Sequence, residues 1–330
     1  MPHPPKPPLR RARCRAALGT LLAAALGACA PLPPPAPVAP RTAAAPGHDT
    51  AAEHALRARI DAWRSQCGFP PYLHDARLRR AALNHSRYMA RNGRAVTDFE
   101  NPAAPGFTGI DGLARARAAG WSNLRWASSG SADQYMHLPA DGAALGRGVA
   151  TIWAGGVYHQ LIVAGQYRSA GAGLLRVTDP RFPAYALELA TIALGGWNRT
   201  FAGARAPLTF PCAGIRDVPY GEAASSELPL APGVSRRGFG TPVTLVGNPG
   251  ERVLVLRATM ESLRDGRRVA LRVLDEANDP NHEIRMPAQA VVYPTSPLRP
   301  RTTYRVDIEG TEAGRAFRRT FSFTTSATMG

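Results

Sequence analysis

The chain has 330 residues, a formal net charge of +16 and four cysteines. Its length predicts about two domains. The arginines are scattered along the chain, whereas a nucleic-acid-binding protein concentrates its basic residues on one face with aromatic residues between them. We therefore expect no nucleic-acid partner. A basic exported protein would instead meet anionic lipid headgroups or acidic polymers of the cell envelope.

The first 28 residues have the pattern of a secretory signal. A cluster of arginines precedes an apolar run from Ala16 to Ala28, and this order is typical of a signal peptide. The run is too short to span a bilayer, which takes about 20 residues. Leu26-Gly27-Ala28-Cys29 resembles a bacterial lipobox, in which the cysteine is acylated and becomes the new N-terminus. We predict an exported lipoprotein, anchored through Cys29 in the bacterial envelope at the outer membrane; the alternative is an ordinary signal cut after Ala28.

The remaining cysteines predict a disulfide. Cys14 is lost with the signal peptide and Cys29 is acylated, which leaves Cys67 and Cys212. An even pair in an oxidising compartment predicts one bond between them. Neither has a second cysteine or histidine at ligand spacing, so we expect no zinc site at these residues. The segment before them, residues 29–49, is rich in proline and alanine and is predicted to be an extended tether.

The segment after the tether is predicted to contain helices and then strands. Asp75 is the expected N-cap of the second helix, and Gly93 is its expected stop. Helical spacing of apolar residues defines the helices, and apolar β-prone runs define the strands. The predicted helices run from about Thr50 to Cys67-Gly68, from Asp75 to Asn92, from Leu113 to Ala119 and from about Gly142 to Tyr158, and the strands from Gly171 to Thr178 and from Tyr185 to Leu194.

The hydropathy pattern of the sequence changes after Pro207. Apolar and polar residues alternate between turn signals, a pattern that predicts antiparallel strands in a small sandwich. The segment from Leu298 to Val306 resembles a strand entry of fibronectin-III and bacterial Ig-like modules. We therefore predict four parts: a signal peptide at 1–28, the tether at 29–49, a first domain at 50–206 and an Ig-like β-sandwich at 207–330. The predicted strands of the sandwich include Arg252–Thr259, Val269–Leu274, Thr303–Ile308 and Phe317–Phe323.

Four segments of the first domain resemble the CAP superfamily, named for cysteine-rich secretory proteins, antigen 5 and pathogenesis-related proteins. Leu78–Ala90 resembles the family helix "L-x-x-A-A-x-x-H-(A/S)-x-x-M-A". The other three follow in the family's order, and the resemblance covers about residues 51–195. It implies an α+β fold: a three-layer α-β-α sandwich, here followed by the all-β Ig-like sandwich. The other segments are Pro105–Gly109 with Arg115–Trp121, Trp153–His159 and Ser169–Gly173.

The resemblance also implies a cleft with two histidines and two glutamates that bind a divalent cation. Here His159 matches the second histidine, and Asp98 stands in place of the first. No glutamate occurs near Ser129-Gly130-Ser131 or beside Trp153, where the family has its two. A zinc-type site needs three or four ligands. We therefore predict a remnant cleft at His159 and Asp98 with no catalytic residue, no metal and no cofactor.

Two further interpretations of the polar residues stay open. Asp98 and His159 could form a weak cation site with Asp133 or His137, and Glu100 lies in the same segment as Asp98. His85, on the inner face of its helix, is predicted to be a hydrogen-bonded core residue.

The predicted function is non-enzymatic binding or scaffolding at the cell envelope through the CAP-like cleft. Its partners would be the membrane, through the acyl anchor, and a lipid, an envelope polymer or a protein as ligand. The sequence has no Gly-x-Ser-x-Gly elbow and no His-Glu-x-x-His motif. The alternatives are a metal-assisted hydrolase or peptidase built around Asp98 and His159, and an adhesin-like structural protein that acts through the C-terminal sandwich.

Overall fold

A computed structural model describes most of the chain after the predicted tether. The predicted signal segment, Cys29 and the tether apart from Gly47–His48 lie outside the described residues. All described residues belong to one compact unit, Ala43–Gly330. None of the helices in the described residues is long and apolar enough to cross a bilayer. The described residues are 47–48, 50–122, 127–198, 201–224, 227, 229–281 and 288–330.

The first half contains the helices that the apolar spacing predicts, with one difference. Asp75 caps the second helix, since its carboxylate accepts the N–H groups of Arg77 and Leu78. The predicted helix from Gly142 to Tyr158 is too long: it ends at Gly155, and a separate short helix follows. The helices are α1 (Thr50–Gln66), α2 (Ala76–Arg91), α3 (Gly112–Ala118), α4 (Gly142–Gly155) and α5 (Gln160–Ala164).

A mixed sheet lies between these helices. Its order is β1-β4-β5-β3, with β2 paired in parallel to β4. Among the described strands, β3 lies at the edge of the sheet and pairs only with β5, antiparallel. It was not predicted, because its small and polar residues lack the apolar alternation of a typical strand. The strands are β1 (Gly47–His48), β2 (Leu73–His74), β3 (Ala127–His137), β4 (Tyr167–Thr178) and β5 (Tyr185–Trp197).

Helices cover both faces of β4 and β5. On one face, α1 and α4 share a hydrophobic cluster with alternate strand residues such as Leu174 and Ile192. On the other face, α2 packs against Leu175 and Leu189. The two faces are distinct because successive side chains of a strand point in opposite directions. The described residues thus form the α-β-α arrangement that the family resemblance implies.

The Gly-x-Gly pair of β4 is explained by the contact with α2. A Cβ atom on Gly171 would lie 2.0 Å from the backbone nitrogen of Arg79, and one on Gly173 would lie 2.1 Å from that of Leu83. The hydroxyl of Ser86 donates to the carbonyl of Gly173 at 2.7 Å. The helix backbone therefore rests directly on the strand, and only glycine fits there.

The second half is rich in β-strands, and the antiparallel pairing predicted there is confirmed. One sheet has the order β6-β7-β10-β9, and another has the order β12-β11-β8. Apolar side chains of both sheets lie in one cluster with α1 and α4. The Ig-like class of this region stays a prediction. The strands are β6 (Leu208–Phe210), β7 (Val243–Val246), β8 (Val253–Ser262), β9 (Leu271–Leu274), β10 (Gln289–Pro294), β11 (Thr303–Glu312) and β12 (Arg315–Thr324).

The predicted disulfide between Cys67 and Cys212 is confirmed. Its Cα atoms are 5.4 Å apart, and it joins residues 145 positions apart in sequence. It links the end of α1 to the segment after β6.

One turn earlier in α1, the buried Arg64 donates to the carbonyls of Pro70, Val163 and Gly165.

Candidate functional site

His85 and Glu100 form a buried pair beneath the loop that carries Asp98. Both side chains are fully enclosed, with His85 Nδ1 2.8 Å from the Glu100 carboxylate and Nε2 2.6 Å from the carbonyl of Thr97. Glu100 also accepts the backbone N–H groups of Thr108 and Gly109. Burial, followed by the charge of Arg115, lowers the pKa of His85, and its hydrogen bonds oppose this shift. The prediction of a core histidine is confirmed.

Two adjoining cavities lie along the edge strand β3. The first has a volume of about 530 Å³ and the second a volume of about 420 Å³. Both are mostly apolar, and the second has more carboxylates in its lining. Asp98 and His159 line both. Apolar residues of the first cavity are Phe99, Leu113, Leu161, Ile162, Leu194 and Pro229.

The structure therefore brings together the two residues of the predicted remnant cleft. Asp98 lies on the loop between α2 and α3, and its Oδ1 atom is buried without a hydrogen-bond partner among the described residues. His159 directly precedes α5, with its side chain 13 % exposed. Its Nδ1 atom lies 3.8 Å from Glu227 Oε1 and makes no hydrogen bond within the described part of the chain.

Glu227, from the C-terminal half, holds the turn that carries His159. Its buried carboxylate accepts the backbone N–H groups of Val157, Tyr158 and His159 at 2.8, 2.5 and 2.7 Å. These are the amides that a longer α4 would bond internally, so the helix ends at Gly155. A Cβ on Gly156 would lie 2.6 Å from Glu227 Oε1. The glycine therefore makes room for the carboxylate.

The second cavity holds two further polar residues from different parts of the chain. Ser131 on β3 is 3 % exposed, and its hydroxyl has no hydrogen-bond partner among the described residues. Glu222 is fully buried and reaches the cavity from the C-terminal half, close to Gly155. Both residues thus line the space next to Asp98 and His159.

Of the other candidates for a substitute cation site, Asp133 lines the same cavity as Asp98 and His159, whereas His137 and Glu100 line neither cavity. Asp133 lines the second cavity on its exposed side, where partial burial raises the pKa of its carboxyl group. His137 lies at the end of β3 and packs edge-on against Tyr185 at 5.3 Å. Glu100 bonds to His85 and to the backbone of the following loop. Within the residues that the structure describes, no three His, Cys, Asp or Glu side chains are placed to hold a metal ion.

The sequence did not predict that Ser131, Glu222 and Glu227 belong to the cleft. Glu222 and Glu227 lie more than sixty residues after His159, and no pattern at that range connects them to the cleft. A local signal was present in Gly155-Gly156, since paired glycines directly after an apolar helix indicate a close approach by another segment. Both glycines do face a glutamate from the C-terminal half.

A family of known proteins is similar to part of the first half. Residues 57–185 match the family model of the cysteine-rich secretory protein (CAP) family, which confirms the sequence resemblance over that range. Among solved structures, an outer surface protein from Borrelia burgdorferi is 11% identical, with 46% of this chain and 98% of that chain covered and a TM-score of 0.34. An extracellular protein containing an SCP domain from Bacillus anthracis is 16% identical, with coverages of 43% and 39% and a TM-score of 0.29. No curated protein matches the sequence.

Proposed function

We propose that this protein is an exported, lipid-anchored binding protein of the cell envelope that holds its ligand in the cleft at Asp98 and His159, without catalysing a reaction. The observation that carries the proposal is the set of buried polar atoms in the cleft. Asp98 Oδ1 and Ser131 Oγ have no hydrogen-bond partner among the described residues. Burying a polar group without a partner costs about 1 to 3 kcal/mol, and a bound ligand would supply the partner.

The same residues support binding better than nucleophilic catalysis. A serine nucleophile needs a hydrogen bond to a general base. Ser131 makes none within the described chain, and Ser129 accepts from Arg115 at 2.6 Å. His159 Nδ1 lies 3.8 Å from the carboxylate of Glu227, which already accepts three backbone N–H groups. Glu227 therefore positions the turn that carries His159 and does not link its imidazole to a nucleophile.

A test of cleft binding is native mass spectrometry of the protein purified from the envelope fraction. We expect a bound species on the wild type that is absent from Leu113→Trp, because Leu113 lines the first cavity and an indole would occupy more of it. Leu256→Trp, at an exposed position outside both cavities, is the matched control and should keep the species. A wild type without any bound species, or equal loading of all three proteins, would contradict the proposal.

Anchoring is tested separately. Cys29→Ser should prevent acylation and move the protein from the membrane fraction to the soluble fraction. Membrane association of the variant with retained lipid would show that the lipobox interpretation is wrong.

A metal-assisted hydrolase is the second candidate, favoured by the presence of Asp98, Asp133 and His159 on the same cavity. If zinc raises the melting temperature in a saturable way and His159→Gln removes that shift, the hydrolase becomes the better proposal. Under the binding proposal, zinc gives no saturable shift in either protein.

A further inference from the structure

The two cavities follow the free edge of β3. Residues 127–130 line the first cavity, and residues 131–133 line the second. A cavity on one face of a sheet contacts every second residue, because side chains alternate between faces. Contact with seven consecutive residues therefore places the groove along the strand's edge. Its walls come from opposite sides of the sheet: Gly112 and Leu113 on one side, Leu161 and Ile162 on the other.

The backbone along this groove has open hydrogen-bonding positions. Strand β3 pairs with β5 on one side only. On its other side, residues 127–133 make no backbone hydrogen bond to any segment that the structure describes. An edge strand in this condition is a template for another strand, and an extended peptide can add to it through main-chain hydrogen bonds.

The charge of the groove is opposite to that of the chain. Lysine and arginine together number 40 against 24 acidic residues, yet no arginine or lysine of the described chain lines either cavity. The second cavity has the carboxylates of Asp98, Asp133 and Glu222. Asp98 interacts electrostatically with the guanidinium group of Arg115. That group is buried and donates a hydrogen bond to Ser129. A ligand with a positive charge would complement the second cavity.

We infer that the cleft binds an extended peptide segment that adds as a strand to the edge of β3, with an apolar side chain in the first cavity and a lysine or arginine side chain in the second. This inference rests on the proposed binding function and names the ligand class. Ser131 Oγ and Asp98 Oδ1 accept hydrogen bonds from the basic side chain. The midpoint of residues 127–130 and the midpoint of residues 131–133 are between three and four positions apart. At about 3.3 Å per residue this is a distance of about 12 Å. The apolar and basic residues of the ligand should be separated by a similar distance.

The test uses synthetic peptides as probes for the full-length protein. Two fluorescein-labelled heptapeptides of threonine carry leucine and lysine at their second and sixth positions, in either order, so that both strand directions are sampled. We expect saturable fluorescence anisotropy with one of them. Replacing its lysine with glutamate should weaken binding at least tenfold, as should Asp98→Asn in the protein. Glu276→Gln, which removes a carboxylate from the surface pair with Arg252, is the control and should leave affinity unchanged.

Backbone methylation separates strand addition from side-chain binding. In an added strand, only alternate N–H groups face β3. Methylation of one alternate set of peptide nitrogens should therefore abolish binding, and methylation of the other set should be tolerated. Equal affinity of both methylated peptides, or no binding of either parent peptide, would overturn the inference.

The result distinguishes this inference from the proposed function. If neither peptide binds but a bound species is still lost in Leu113→Trp, only the peptide assignment fails. If neither peptide binds and no bound species is found, the proposed function fails as well. If one peptide binds, but its affinity changes neither when its lysine is replaced nor when Asp98→Asn is introduced into the protein, the acidic cavity is not the recognition site. The inference is then wrong.

Discussion

His85 and His159, two of the histidines in the first half, lie in opposite situations. His85 is buried with both ring nitrogens hydrogen-bonded to the chain, whereas His159 lines the cleft with Nδ1 unbonded among the described residues. Other residues differ in the same way. We define the bonded frame as the Cys67–Cys212 disulfide, Tyr72 and the His85–Glu100 pair, whose polar or sulfur atoms are bonded within the chain. We define the cleft wall as Asp98, Ser131 and His159. The polar groups of the frame hold the fold together. In the wall, Asp98 Oδ1, Ser131 Oγ and His159 Nδ1 have no hydrogen-bond partner among the described residues.

The largest effect is expected from the disulfide of the frame. The double variant Cys67→Ser, Cys212→Ser should lose about 4 to 5 kcal/mol of unfolding free energy, because the bond closes a loop of nearly the whole first half and removes chain entropy from the unfolded state. Chemical denaturation of the oxidised wild type and the double variant measures this. Equal midpoints would contradict the predicted role of the bond, and two titratable thiols in the oxidised wild type would contradict its formation.

The buried pair is expected to come next. His85→Ala removes one hydrogen-bond partner of the enclosed Glu100 carboxylate, and a hydrogen bond to a charged group contributes about 1.5 to 3 kcal/mol. Asn84→Ala, the neighbouring position on a more exposed part of α2, is the control and should change stability by less than about 0.5 kcal/mol. Similar losses for the two variants in urea denaturation would show that His85 does not support the loop.

Tyr72 gives the frame a dependence on alkaline pH. Its hydroxyl donates to the carbonyl of Ile162 at 2.8 Å, and burial raises its pKa from 10.0 to about 12. The folded pKa exceeds the unfolded one, so stability is unaffected below pH 10 and falls as the pH rises from 10 towards 12. Tyr72→Phe should cost about 1 kcal/mol at pH 8 through the lost hydrogen bond and lose less stability than the wild type above pH 10. Parallel pH curves for the two proteins between pH 8 and 11 would refute this.

The cleft wall is expected to show no loss of stability. Ser131→Ala removes a buried hydroxyl without a partner in the described chain, so the unfolding free energy should stay unchanged or rise by up to about 1 to 3 kcal/mol. Affinity for the lysine-containing peptide should nevertheless fall about fivefold, which corresponds to one lost hydrogen bond of about 1 kcal/mol. A marked loss of stability with unchanged affinity would place Ser131 in the frame and remove the contrast.

The sequence determined the local elements and the covalent link. Helices α1 to α3 follow from apolar spacing and from caps such as Asp75, and these are interactions between residues a few positions apart. Cysteine counting predicted the bond between Cys67 and Cys212, because only one pair remained after the lipobox was assigned. The CAP resemblance also identified Asp98 and His159 as neighbours in a cleft, and both line the same cavities.

Only the tertiary structure decided what surrounds those two residues. Strand β3 has no strong alternation of its own, so its place at the sheet edge depends on pairing with β5. Glu227 ends α4 early by taking backbone amides that a helix would otherwise bond internally, and this competition comes from a segment far away in sequence. Glu222 enters the cavity for the same reason, through space that Gly155 leaves open. Helical periodicity depends on contacts within one segment of the chain. Glu222 and Glu227 instead act through contacts between segments that are far apart in sequence, and no local pattern predicts such contacts.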